Sequence, residues 1–183
     1  AFAGEAVLVQ QGDTWDYFRG WSEPPFDWNQ PGFDPSAAGW ESGPTGIGYA
    51  DDDDATVLAD MQNGYVSVYL RILVDVPASA EGYLWSFRFR YDDSFVAYID
   101  GQEIARRGLT GTPPLYSDVG EDHEITTTTG FDEEILIADG ASLLSAGEHV
   151  LAVQVHNSTL ESSDLSFSAE LTGGPFRVTD LEP

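Results

Sequence analysis

The chain has 183 residues, 42% of them hydrophobic and 13% aromatic, which suits one globular domain with a sizeable core and excludes a disordered chain. Its 32 acidic residues face only 7 basic ones, all arginine, and the net charge of -25 argues against nucleic acid and against an anionic membrane surface as partners. Cysteine is absent, so disulfides and thiolate metal sites are excluded, and no apolar run approaches the roughly 20 residues that a membrane helix needs.

The elements follow in chain order. Short strands are predicted over 6–10 and 15–19. The stretch 20–55 is rich in Pro, Gly, Asp and Trp and too long for a simple connection, so it reads as a functional or metal-held loop. From 65 to 76 the even positions Val66, Val68, Leu70, Ile72, Val74 and Val76 are apolar while the odd ones are mixed, the period of a strand with one buried face. Trp85, Phe87, Phe89 and Tyr91 alternate with Ser86, Arg88 and Arg90 in a second such strand. Strands over 95–100 and 103–106 are joined by Asp100-Gly101, a tight hairpin signal. One helical turn is expected over 141–145, stopped by Gly147. Leu151, Val153 and Val155 mark a further strand, and Leu165, Phe167, Ala169 and Leu171 the last.

Many short strands between Gly, Pro and Asp turns predict an all-β fold, a two-sheet antiparallel β-sandwich of jelly-roll type. Its core is expected to hold Trp15, Trp40, Trp85, Phe87, Phe89, Leu151, Val153, Leu165 and Phe167. The sandwich spans 1–172. Residues 173–183 read as a strand-like C-terminal extension or linker after a flexible Gly173-Gly174 hinge. Such a terminal strand would add to its own sheet, begin another domain, or pair with a neighbouring copy.

Several segments together carry a resemblance. They are Gly12-Asp13-Thr14-Trp15, Phe33-Asp34, Trp40, Gly48-Tyr49, Tyr69-Leu70-Arg71, the run from Tyr91-Asp92-Asp93-Ser94 through Tyr98-Ile99-Asp100-Gly101, Leu151-Ala152-Val153, and Ser162-Ser163-Asp164-Leu165-Ser166-Phe167. In this order the chain resembles the galactose-binding-like jelly-roll domains of large bacterial secreted and surface proteins, which sit beside lamin-tail-like, spore-coat-kinase-like and metallophosphoesterase modules. It departs from their pattern at Pro35, where a second aspartate is usual, and at Ser94, which replaces a common glycine. More distantly it is similar to the N-terminal sandwich of β-galactosidase-like enzymes. Both resemblances imply an accessory module without catalytic residues.

The residues agree with that implication. His149 and His156 lie seven positions apart on one strand and so point to opposite faces, and His123 stands alone. No His-x-x-x-His pair or nucleophile elbow exists, and adjacent carboxylates such as Asp92-Asp93 do not face each other across a cleft as glycosidase chemistry requires. The chain is therefore read as no enzyme. A structural calcium ion is expected in the acidic loops, with Asp51, Asp53 and Asp164 as candidate ligands, because calcium takes six to eight oxygens. The competing reading is a solvated acidic loop. Trp21, Trp28, Tyr49 and Tyr116 lie among Pro, Gly and Asp and are candidates for sugar stacking, against the alternative that they plug the sandwich end. Asn157-Ser158-Thr159 is an N-glycosylation sequon, and 126–129 is a threonine run that would suit O-linked sugar.

These observations predict a non-catalytic extracellular or cell-surface module. It would be a building block of a surface or filamentous assembly acting through contacts with other copies or neighbouring domains. The alternative is a carbohydrate-binding module appended to a secreted hydrolase. The short start at Ala1-Phe2-Ala3-Gly4 suits what signal cleavage leaves.

Overall fold

The structure, a computed structural model, describes residues 4–37, 39–50, 52, 54–125 and 130–175. The strands are β1 (Ala6–Val9), β2 (Thr14–Arg19), β3 (Glu41–Pro44), β4 (Ile47–Tyr49), β5 (Thr56–Val57), β6 (Ser67–Val76), β7 (Leu84–Asp92), β8 (Ser94–Ile99), β9 (Gln102–Arg107), β10 (Glu133–Leu136), β11 (Gly147–His156) and β12 (Leu165–Gly174). They form two sheets. The first runs β10-β7-β12-β4-β5 with β1 also on β12, and the second runs β3-β2-β6-β11-β8-β9. Pairing is antiparallel except for the short β4–β5 contact. The single α-helix among the described residues is α1 (Gly140–Leu143), close to the predicted turn. The predicted all-β sandwich is the observed architecture.

The period-2 runs point where the alternation says they should. Val68 and Leu70 of β6, Phe87 and Phe89 of β7, Leu151, Val153 and Val155 of β11, and Leu165 and Phe167 of β12 fill the space between the sheets. Trp15 and Trp85 belong to the same core, whereas Trp40 packs on the outside of the second sheet. At the β8–β9 turn Asp100 and Gly101 both take positive φ, 48° and 79°, as a two-residue hairpin demands.

Two expectations change. Gly173 and Gly174 are the end of β12, paired with Trp85 and Leu84, so they are sheet residues and not a hinge. A Cβ on Gly173 would lie 2.5 Å from the Trp85 ring, which is why the strand has glycine there. The extension beyond 175 lies outside the described residues. At the other end, β1 pairs with β12 of its own sheet (Ala6 opposite Gly173), so this terminal strand takes the in-cis course. The expected long loop also holds two strands, β3 and β4.

The rest of that loop decides where a ligand would sit. Residues 20–40 fold back over the outer face of the second sheet, beginning at Gly20, whose N–H donates to Ser67 O at 2.8 Å. They bury a second apolar layer of Trp28, Tyr69, Val96, Tyr98, Leu109 and Ala152, flanked by Phe18, Phe33, Trp40 and Tyr116. The odd positions Ser67, Tyr69 and Arg71 of β6 are thus covered as well. Tyr69 and Arg71 are fully buried.

Candidate functional site

Beside this second layer lies a cavity of about 580 Å³. Its floor is sheet: Tyr98 from β8, Glu103 from β9 and Gln154 from β11. One wall is the long loop, with Glu23, Pro24, Phe26, Trp28, Asn29 and Gln30, and the other is Thr112 and Pro113. Trp28 is held from three sides. It meets Tyr69 and Tyr98 edge-on, with centroids 5.1 and 6.1 Å away, and stacks on Trp40 at 6.2 Å. Phe26 is fully exposed at the rim, the only such large apolar side chain among the described residues.

Hydrogen bonds fix the polar groups. Glu23 accepts from Tyr69 Oη at 3.2 Å and from the Tyr116 N–H at 3.0 Å, clamping the loop to the sheet and to the 109–120 segment. Gln154 Nε2 donates to Tyr69 Oη and to Pro114 O, both at 3.1 Å. Glu103 is gripped by Arg106, whose Nε and Nη2 reach Oε1 and Oε2 at 2.9 and 2.7 Å. Tyr98 Oη is buried with no hydrogen-bond partner in the protein, a condition that costs about 1–3 kcal/mol. Burial, and then the Glu103 carboxylate, push its pKa up to about 12, so it stays a donor. Rigid ring faces, carboxylates and amides are what sugar recognition requires.

The four aromatic candidates separate. Trp28 lines this cavity. Trp21 and Tyr116 line a different groove of about 350 Å³ with Tyr65, Val119 and Leu160, where Trp21 leans on Tyr65 at 4.8 Å and is 57% exposed. Tyr49 is buried in the main core, its hydroxyl donating to Ser162 O at 2.7 Å, so it has no free face for stacking. Phe26 is a loop aromatic of the same stretch, and nothing in its Pro-Pro-Phe-Asp run tells an exposed ring from a plugging one. Gln154 and Tyr98 sit on strands whose outer face was expected to meet solvent.

The acidic candidates separate too. Asp51 and Asp53 lie outside the described residues. Asp164 comes together with Asp92 and Glu124, one carboxylate oxygen of each within 4.8 Å of the others, and Asp92 and Asp164 are buried. Asp93 beside them accepts from the His123 N–H at 3.1 Å and the Ser158 N–H at 2.6 Å. Asn157 is fully buried in the same region. Its Nδ2 donates to Tyr49 Oη at 3.0 Å, while its Oδ1 has no hydrogen-bond partner. The Tyr49 hydroxyl lies in the field of Asp164, Asp93 and Asp92, which together with burial raises its pKa. At Asn157, the first residue of the sequon, the side-chain nitrogen is enclosed and bonded.

His156 is buried and neutral, with Nδ1 donating to the Asp118 carbonyl at 2.6 Å. His149 lies 2.6 Å from Asp100 Oδ2.

No family model matches the chain, and no curated protein matches it in sequence. Solved structures do share its fold. β-Glucuronidase 2 of Bacteroides uniformis is 15% identical with a TM-score of 0.59, over 94% of this chain and 18% of that one. A β-glucuronidase of an uncultured Clostridium sp. is 14% identical with a TM-score of 0.56, over 94% and 29%. The β-glucuronidase of Bifidobacterium dentium is 19% identical with a TM-score of 0.52, over 83% and 20%. The chain thus spans about a fifth to under a third of these glycosidases. No helix among the described residues is long and apolar enough to cross a membrane.

Proposed function

We propose that this chain is a non-catalytic carbohydrate-binding module of an extracellular protein, of the galactose-binding-like kind, holding glycan in the cavity on the outer face of the second sheet. One observation carries the reading. The cavity combines a fixed Trp28 ring and an exposed Phe26 ring with Glu23, Asn29, Gln30 and Gln154. The occurrence of the same fold as a fraction of larger glycosidases supports it. Affinity electrophoresis against a polysaccharide panel tests it. Retardation on at least one glycan is expected, with loss in Phe26→Ala and Trp28→Ala and retention in Trp21→Ala, which lines the other groove. Absence of retardation on every glycan rejects the reading.

A structural calcium ion at Asp92, Glu124 and Asp164 belongs to the same proposal. The support beyond the carboxylates is Asn157, a buried amide oxygen without a partner beside the Tyr49 hydroxyl. Calcium takes such carboxylate and amide oxygens, and a site filled at a hundredfold over its dissociation constant stabilises by about 2.7 kcal/mol. Chelation should lower the melting temperature of the protein and leave Asp164→Asn unchanged. An identical melt of the unsubstituted protein with and without chelator rejects the ion.

The alternative role, a building block of a surface assembly, draws on the apolar groove of Trp21, Val119 and Leu160. Light scattering of the protein and of Trp21→Glu separates it, since a monomer in both cases leaves that role without support.

A further inference from the structure

We infer that the cavity selects uncharged sugars and rejects uronic acids. The inference rests on the sugar-binding reading and adds the chemical class of the ligand. It starts from which charges line the cavity and which do not. Two carboxylates do, Glu23 and Glu103, and among the described residues no arginine or histidine does.

The arginines nearest the site are engaged elsewhere. Arg106 spends Nε and Nη2 on Glu103, and its Nη1 donates to Leu109 O at 3.3 Å and Gly111 O at 2.9 Å. Arg71 lies fully buried behind the wall, with Nη2 donating to Gln30 O at 3.2 Å. Arg19 is tied to Glu41 and Asp60 at the second sheet's edge. A ligand carboxylate would therefore meet the Glu23 charge and a Glu103 charge already offset by Arg106, with no cation left free for it. Like charges at such range disfavour one another even where salt screens the bulk solution.

The donor and acceptor inventory points the same way. Glu23 and Glu103 are acceptors only, and so is a uronate carboxylate. A neutral pyranose instead offers hydroxyls that donate to these oxygens and accept from the amide of Asn29. It also keeps an apolar face for Trp28 or Phe26. The long-range field of a chain with net charge -25 adds a second repulsion, which salt removes. The lining does not depend on that field.

Short oligosaccharides of one linkage, neutral or ending in a uronic acid, test the proposal by titration calorimetry in about 0.15 M and about 1 M salt. The neutral form is expected to bind at least about tenfold more tightly at both. Equal or tighter binding of the uronate form overturns the selectivity and leaves sugar binding intact. Binding of neither form overturns both. Discrimination that vanishes at high salt overturns the assignment to the lining, because it then belongs to the overall charge. Glu103→Gln supplies the second arm. It removes a carboxylate and releases the Arg106 guanidinium, so uronate affinity should rise at least about tenfold; no rise counts against the cavity as the selector.

Discussion

The two faces of the second sheet are built by the same strands and held by different forces. The inner face is almost wholly hydrocarbon: Val68 and Leu70 of β6 and Leu151, Val153 and Val155 of β11 meet the aromatic rows of the first sheet. Phe89 meets Phe95 edge to ring at 4.8 Å and Tyr91 at a tilt at 5.8 Å, and Phe95 reaches Phe167 at 5.6 Å. On the outer face the neighbouring positions are Tyr69, Arg71, Gln154 and His156 around Ala152, just as buried but, Ala152 apart, polar at their tips. A face of hydrocarbon needs only the other sheet. A face of buried hydroxyl, amide, imidazole and guanidinium needs partners placed one by one, and the loops 20–40 and 109–120 supply them. Stability is concentrated on the first face, and the proposed recognition on the second.

The largest expected effect lies on the inner face. Phe167→Ala removes a ring with no exposed surface from the middle of the aromatic row and should cost about 3–5 kcal/mol in urea denaturation. Sugar affinity, measured well below the transition, should stay as it was. A loss of affinity at constant fold would show that the two faces are coupled and that the division above is wrong.

The next effect is on the outer face and depends on pH. Burial pushes the pKa of His156 down to about 4 from an ordinary 6.5. Between those values the unfolded chain takes up a proton that the folded chain refuses. This residue's contribution to stability is therefore complete above pH 6.5 and falls as pH drops, by about 3 kcal/mol in all, with no further change below about 4. Carboxylates titrate over part of the same range, so the informative quantity is the difference between the protein and His156→Asn, whose amide can still donate to Asp118 O. The variant should lose the slope between pH 6.5 and 4. Parallel stability curves would mean that the imidazole is protonated inside the fold.

The contrast between the faces also explains what the sequence makes legible. β6, β7, β11 and β12 are readable because period-2 alternation and a hydrocarbon face coincide. β3 and β4 are hidden by their glycines, which look like loop. Yet a Cβ on Gly48 would lie 1.8 Å from Leu165 O, so close strand approach is what demands them. β10 is hidden for another reason. Glu133 and Glu134 look like solvated charge, but Glu133 is paired with Arg107 and Glu134 lies 3.6 Å from Arg88. The candidate sites are the least legible. Asp92, Glu124 and Asp164 come from three distant segments and meet only through the β7–β12 pairing and the connection before β10. Trp28 is recognisable as a loop aromatic, but its partners Tyr98 and Gln154 belong to an outer face that period-2 reasoning assigns to water.

The smallest expected effect concerns Arg71, the one fully buried cation of the outer face among the described residues. Its geometry is poor for an ion pair. Asp16 Oδ2 is 3.9 Å away, Nε has no hydrogen-bond partner, and Nη2 donates to Gln30 O. Burial lowers its pKa in spite of the opposing charges of Asp16, Asp34 and Glu148. Its remaining attraction is to the Phe33 ring, 5.3 Å from the guanidinium carbon. Arg71→Met keeps the packed stem and the contact with Phe33 while removing the desolvation cost, and Asp16 at 36% side-chain exposure is not left as a buried charge. The substitution should therefore change stability by no more than about 1 kcal/mol in urea denaturation. A loss above about 3 kcal/mol is what breaking a needed buried pair costs. That result would mean the loop over the outer face is fastened by charge, and that ring packing around Trp28 is insufficient to hold it.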